Sequence, residues 1–221
     1  MSSKTTELSL DEIFNLAKTA LLNNGANEEN ADAVAATVTN AERDGSVSHG
    51  LFRIPGYIKA LQSKKVDGSA KPEIEEVTPT ILRCDAQNGF APLAHKYGIK
   101  KLIEAANAFG IAGLAIKRCH HFAALWPEVE AISDHGLVGL TSVSYTPAVA
   151  PSGGTEALYG TNPIAFSWPR PGKSPIVFDM ATASMAKGEI QIAARDGHSV
   201  PLGTGLSASG ELTTDAAEID K

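Results

Sequence analysis

The chain contains 221 residues, of which 43% are hydrophobic and 20% charged, enough apolar material for one large core or two smaller ones. A formal net charge of -6 excludes broad electrostatic binding to DNA or RNA, which needs basic surface to release counterions. No apolar run reaches the roughly 20 residues of a bilayer-spanning helix, and Met1–Glu7 lacks the apolar core of a signal peptide, so no membrane partner is expected. Cys84 and Cys119 stand outside metal-ligand spacing and read as buried free thiols, which suits a reducing, cytoplasmic setting.

The first predicted element opens at Ser9, which forms a capping box with Glu12, while Leu8 and Ile13 stand at the spacing of a hydrophobic staple. Leu10, Ile13, Phe14, Ala17 and Leu21 recur at helical spacing up to the helix stop Asn24-Gly25. A second helix starts near Asn27 with Ala31, Val34, Ala35 and Val38 on one face. The polar, glycine-bearing stretch Arg43–Gly50 reads as an ordered loop between apolar segments. A short helix follows, with Pro55 in its first turn and Tyr57, Ile58 and Leu61 facing inward. The charged, turn-rich run Lys64–Pro72 marks a boundary between a helical module over residues 1–72 and an α/β domain over 73–221.

Beyond that boundary strands alternate with helices. Strands are predicted at Thr80–Cys84, at Ile111–Ile116 (buried), at Leu137–Val143, at Ile164–Ser167 and at Ile176–Phe178. Helices are predicted at Leu93–Phe109 closed by Gly110, at Pro127–His135 closed by Gly136, and at Lys187–Arg195. The alternation indicates an α/β core and by itself suggests parallel β-α-β order. Gly197–Lys221, rich in Gly, Ser, Thr and acidic residues, closes no periodic element and reads as a structureless tail. A continuation beyond Lys221 is therefore expected.

Several short segments carry residues with chemical capacity. His49, in Ser48-His49-Gly50, can deliver a proton near neutral pH with a neighbouring hydroxyl to orient it; equally, the pair could cap the next helix. Arg53 follows four residues later, and in a helix both side chains would share a face, with the guanidinium able to grip a carboxylate. A surface salt bridge is the plainer alternative for Arg53. His120-His121-Phe122 follows a predicted strand, yet no further ligands complete a metal site, so no metal is expected. Gly160-Thr161-Asn162-Pro163 is a tight turn whose amides and hydroxyl could meet an anion. Asp179-Met180-Ala181 ends a strand, and Lys187-Gly188 opens a helix, where positive potential suits phosphate. No Gly-x-Gly-x-x-Gly stands between a strand and a helix, so a Rossmann nucleotide site has no support.

In order and context, four blocks resemble the malate/L-lactate dehydrogenase family that lacks a Rossmann fold. They are Arg43-Asp-Gly-Ser-Val-Ser-His-Gly50, Phe52-Arg-Ile-Pro-Gly-Tyr57, Gly160-Thr-Asn-Pro-Ile-Ala-Phe166 and Phe178-Asp-Met-Ala-Thr182. The block from His120 to Pro127, which lacks the Asn most members carry before its His, is similar to the branch that reduces Δ1-piperideine-2-carboxylate and Δ1-pyrroline-2-carboxylate. The resemblance implies an α/β fold with a mixed, largely antiparallel central sheet flanked by helices, which corrects the parallel order. It also implies a homodimer and NADPH as cofactor, with NADH the alternative.

Residue by residue, the resemblance makes His49 the proton donor and Ser48 its relay partner, with Arg53 and Thr161 on the substrate. It places His121, Phe122, Ala123, Ala124 and Leu125, then Asp179, Met180 and Ala181, then Lys187 and Gly188, along the cofactor. The implied activity is reduction of a cyclic 2-imino acid to L-pipecolate or L-proline. The alternatives are an NAD-dependent dehydrogenase of malate, lactate, ureidoglycolate or a similar 2-hydroxy acid, and a truncated chain without activity. The family continues into a Gly-rich His-Lys-Gly segment at the cofactor, which this sequence does not contain.

Overall fold

The computed structural model describes residues 6–120 and 123–221. Two compact units emerge, Met1–Pro127 and Glu128–Lys221.

In the first unit, α1 (Leu10–Leu22) begins with the full capping box: Ser9 Oγ accepts from Glu12 N, and Glu12 Oε2 accepts from Ser9 N at 2.8 Å. Helix α2 (Glu28–Arg43) is capped by the Asn27 side chain and buries Ala31, Val34, Ala35 and Val38, the face the spacing predicts. Two 3-10 turns, Val47–His49 and Leu51–Arg53, lead into α3 (Ile54–Gln62), which buries Tyr57 and Leu61. These helices share a core with Ala17, Leu21, Val66 and Phe90.

The first sheet has the order β1-β2-β3, from β1 (Glu73–Thr78), β2 (Ile81–Phe90) and β3 (Gly113–His120). The β1/β2 pair is antiparallel and β2/β3 parallel, with α4 (Ala91–Phe109) as the crossover. Strand β1 has no counterpart among the predicted strands, because its side chains are nearly all exposed and leave no apolar alternation. Strand β3 is half-exposed rather than buried: as an edge strand it turns Leu114 and Ile116 to the Cys84–Ala94 cluster, while Ala115 and Lys117 remain exposed. Both cysteines are free thiols, with Cys84 buried and Cys119 only half-buried.

The compact division does not follow the boundary expected at Pro72. Tyr57 meets Phe90 edge-to-face at 5.4 Å, and Tyr97 Oη donates to Glu29 Oε2 at 3.1 Å. Buried Asn30 donates to Ala70 O at 3.0 Å. These contacts make the helices and the first sheet one body.

Helix α5 (Trp126–Ser133) begins in the first unit and runs from Glu128 in the second, which also contains an antiparallel sheet β4-β5-β6, from β4 (Gly139–Ser142), β5 (Ile164–Arg170) and β6 (Lys173–Met180). Ser133 and Ser167 are joined by a hydrogen bond in its interior, and Ser167 Oγ also donates to Val129 O at 2.7 Å. The opposite sheet face carries Phe166 stacked on Phe178, with Leu140, Trp168, Ile176 and Met180 exposed.

The last 25 residues were expected to be structureless, and they are not. After α6 (Lys187–Asp196) come the hairpin β7 (Gly205–Leu206) and β8 (Leu212–Thr213), then α7 (Ala216–Ile219), capped by Asp215. Val200 and Ala216 are buried with Ile190, so single apolar residues anchor the segment where no periodic pattern exists. The α/β class stands, with mixed and largely antiparallel pairing, although the described strands form two three-stranded sheets and a hairpin rather than one central sheet. Among the described residues no helix is long and apolar enough to cross a membrane.

Candidate active site

The first unit holds one group of candidate residues on the loop that leaves α2. Ser48 is buried, and its Oγ lies 3.0 Å from His49 Nδ1. Ser46 Oγ lies 3.3 Å from the same nitrogen. Two hydroxyls thus converge on Nδ1, at one edge of the imidazole, and orient the ring. The second of them was missed from the sequence, although Ser46 stands three residues before His49.

Helical spacing does not bring His49 and Arg53 together. Gly50 breaks the helix with ψ -141, so the two residues sit on separate 3-10 turns. The loop is fixed instead by Glu42, whose Oε1 accepts from Leu51 N at 2.6 Å. A Cβ on Gly50 would stand 2.1 Å from that oxygen, so any other residue there would displace the Glu42 carboxylate that holds the loop. The half-buried Arg53 stacks its guanidinium over the Phe52 ring, 5.6 Å from the centroid. It also stands near Tyr57, whose phenol burial pushes above its usual range while the Arg53 charge opposes the shift.

Ala123, Ala124 and Leu125 belong to the same unit and are buried. His121 and Phe122 lie outside the described residues. The strand leading toward this segment is held at Arg118, which has φ 50 and donates to both Asp85 oxygens at 2.8 Å and to Gln87 Oε1. The Arg118 hydrogen bonds keep the Asp85 carboxyl well below the usual carboxylate range. Just after Leu125, Trp126 Nε1 donates to Asp44 Oδ2 at 3.0 Å.

The second unit gathers the other candidates. A cleft of about 750 Å³ is lined by Thr161, Lys187, the Ala148–Thr155 stretch and the Gly203–Ala208 stretch. Thr161 O accepts from Thr182 N at 2.9 Å and from Thr182 Oγ1 at 3.0 Å, which ties its turn to the end of β6. The sequence Asp179-Met180-Ala181 is therefore next to Thr161 in structure, with Asp179 half-buried and Met180 exposed. Lys187 and buried Gly188 open α6, which has no side-chain cap. The Lys187 ammonium is engaged by Asp220 Oδ1 at 2.8 Å, so an incoming anion shares that cation with a carboxylate. Among the described residues, no group of three or more His, Cys, Asp or Glu is placed to hold a metal ion.

The turn carrying Thr161 makes a prediction about packing. A Cβ on Gly160 would stand 2.3 Å from Tyr145 O and 2.6 Å from Asn162 Oδ1, which itself accepts from Tyr145 N. Gly160→Ala must move backbone, so we expect a loss of about 1–3 kcal/mol in denaturant unfolding. An unfolding midpoint equal to that of the parent protein would contradict this packing.

The malate/L-lactate dehydrogenase family model matches residues 8–221. The chain is 46% identical over 210 residues to a Δ1-pyrroline-2-carboxylate/Δ1-piperideine-2-carboxylate reductase of Pseudomonas aeruginosa, covering 95% of this chain and 63% of that protein. It is 43% identical to a Δ1-pyrroline-2-carboxylate reductase of Pseudomonas fluorescens, covering 97% of this chain and 64% of that protein. The crystal structure of Δ1-piperideine-2-carboxylate reductase from Pseudomonas syringae pv. tomato superposes with TM-score 0.92 at 45% identity, over 97% of this chain and 65% of that one. Malate dehydrogenase from Entamoeba histolytica superposes with TM-score 0.91 at 28% identity, over 98% and 60%. The chain thus spans somewhat less than two thirds of these relatives, and it belongs to the malate/L-lactate dehydrogenase family.

Proposed function

We propose that the protein reduces a cyclic 2-imino acid, Δ1-piperideine-2-carboxylate or Δ1-pyrroline-2-carboxylate, to L-pipecolate or L-proline with NADPH. The observation that carries this reading is the imidazole of His49 held at Nδ1 by the buried Ser48 hydroxyl at 3.0 Å. The similarity to reductases named for these two imines favours them over other substrates of the family.

The residues present fit a nicotinamide dinucleotide. The uncapped N-terminus of α6 with Lys187 presents positive potential suited to phosphate, and the cleft it lines is of ligand size. The family resemblance gives a cofactor role to Asp179, Met180, Ala181 and Gly188 in the second unit, and separately to Ala123, Ala124 and Leu125 with His121 and Phe122 in the first. When bound, NADPH supplies a hydride to the imine carbon.

The chain's own residues do the rest. As the acid, His49 is the imidazolium: its Nδ1–H is held by the Ser48 hydroxyl, its Nε2 proton goes to the substrate nitrogen as the C=N bond is reduced, and the ring is left neutral. Arg53 holds the substrate carboxylate through its planar fork, its own plane fixed by stacking on Phe52. In the second unit, Thr161 carries a substrate-binding role only by the family resemblance. A homodimer in the cytoplasm belongs to the same reading, supported by the exposed apolar face of the β4-β5-β6 sheet and by two free thiols.

A second reading is an NAD-dependent 2-hydroxy-acid dehydrogenase, supported by the likeness to the Entamoeba malate dehydrogenase. Assays of the whole protein with Δ1-piperideine-2-carboxylate and with pyruvate, each with NADPH and NADH, separate the two. The imine with NADPH is expected to give the highest kcat/KM. Faster turnover of pyruvate with NADH would overturn the reductase reading in favour of the dehydrogenase.

A further inference from the structure

We propose that Asp44 and Trp126 are positioning residues, a bridge that fixes the Ala123–Leu125 wall against the loop bearing Ser48 and His49. The proposal rests on the functional reading above, in which that wall faces the cofactor and His49 is the proton donor.

Asp44 is fixed from several sides. It caps α2, with its N–H donating to Asn40 O and Glu42 O. Its carboxylate is gripped by Arg43, Nε to Oδ1 at 2.8 Å and Nη2 to Oδ2 at 2.7 Å, which sets the rotamer. Trp126 Nε1 then donates to Oδ2 at 3.0 Å. The indole belongs to the residue directly after Leu125, whose side chain is 1% exposed, so the bridge acts where the wall is already packed. On the loop side, Ser46 N donates to Ala41 O at 2.8 Å, one turn before Asp44, and Ser46 Oγ reaches His49 Nδ1. One helix end therefore holds the imidazole's hydroxyl partner on one side and the wall on the other. The hydrogen bonds from Arg43 and then Trp126 hold the Asp44 carboxyl below its ordinary value, consistent with a charged acceptor in the bridge.

Stability alone gives little reason for this arrangement. The ion pair joins sequence neighbours whose side chains are 46% and 35% exposed, a setting in which such pairs contribute little to folding. Geometry is different, because small misplacement of reacting groups is costly in rate. The indole N–H also reaches across 82 residues of sequence to the helix that carries the proton-donor loop.

The test uses Trp126→Phe, Asp44→Ala and the double variant in the whole protein. Trp126→Phe keeps the ring and removes only the donor. Asp44→Ala, at a partly exposed cap, tests the same bridge from its other end. Each single variant is expected to lower kcat about tenfold, with the imino-acid KM within about twofold and an unchanged thermal midpoint. The double variant is expected to match the singles, because both remove one interaction. A wild-type kcat in both single variants, or losses that multiply in the double, would overturn the bridge. Absence of imine reduction by the parent protein would instead overturn the functional reading, so the two failures are distinct.

Discussion

His49→Ala is expected to lower kcat for imine reduction by about a hundred- to ten-thousand-fold, the usual contribution of a positioned general acid. The imidazole is held at Nδ1 by Ser48 and Ser46, and alanine leaves both hydroxyls without a ring between them and the substrate. Cofactor affinity should change little, since in the functional reading His49 acts on the substrate nitrogen. Steady-state kinetics and a nucleotide-fluorescence titration on the same folded preparation separate these quantities. Near-wild-type kcat in His49→Ala would remove His49 from the chemistry.

Arg53→Lys is expected to raise KM for the imino acid roughly ten- to hundred-fold, as loss of one charged, bidentate hydrogen-bond pair predicts. Lysine keeps the positive charge but has neither the planar fork nor the flat face that stacks on Phe52. The KM for NADPH should stay within about twofold, since the fork is assigned to the acid alone. Equal increases in both constants would mark Arg53 as part of the packing around Tyr57 rather than a carboxylate clamp.

How much of this was legible in the sequence depends on the range of the interaction. The start of α1 was readable because Ser9 and Glu12 satisfy each other within one turn, and the start of α2 because Asn27 caps it alone. The end of α4 was readable in Gly110, which adopts the left-handed conformation there. Strand β1 was not, because it is exposed and charged, and its pairing with β2 replaces the apolar pattern that betrays a strand. The segment after Gly197 looked structureless because Val200 and Ala216 are buried one at a time, against Ile190 rather than along a period.

The candidate site divides in the same way. Ser48 beside His49 is a local motif, and the hydroxyl–imidazole contact follows from adjacency. The helical face expected for His49 and Arg53 failed because Gly50 leaves the helical region (φ -86, ψ -141) and separates the two residues into successive 3-10 turns. Thr161 and the end of β6 meet through Thr182, a contact set by the antiparallel pairing of β5 and β6. The Trp126–Asp44 bridge and the Lys187–Asp220 pair join residues far apart in sequence, and nothing local announces either.

The most direct measurement is the fate of the reducing hydrogen. Incubation of the whole protein with Δ1-piperideine-2-carboxylate and NADPH deuterated at the transferable position should give L-pipecolate with one deuterium on the carbon bearing the carboxylate. Mass spectrometry after chiral separation reads both the label and the hand of the product. Unlabelled product, the D-enantiomer, or no pipecolate while pyruvate is reduced would contradict the imino-acid reductase assignment.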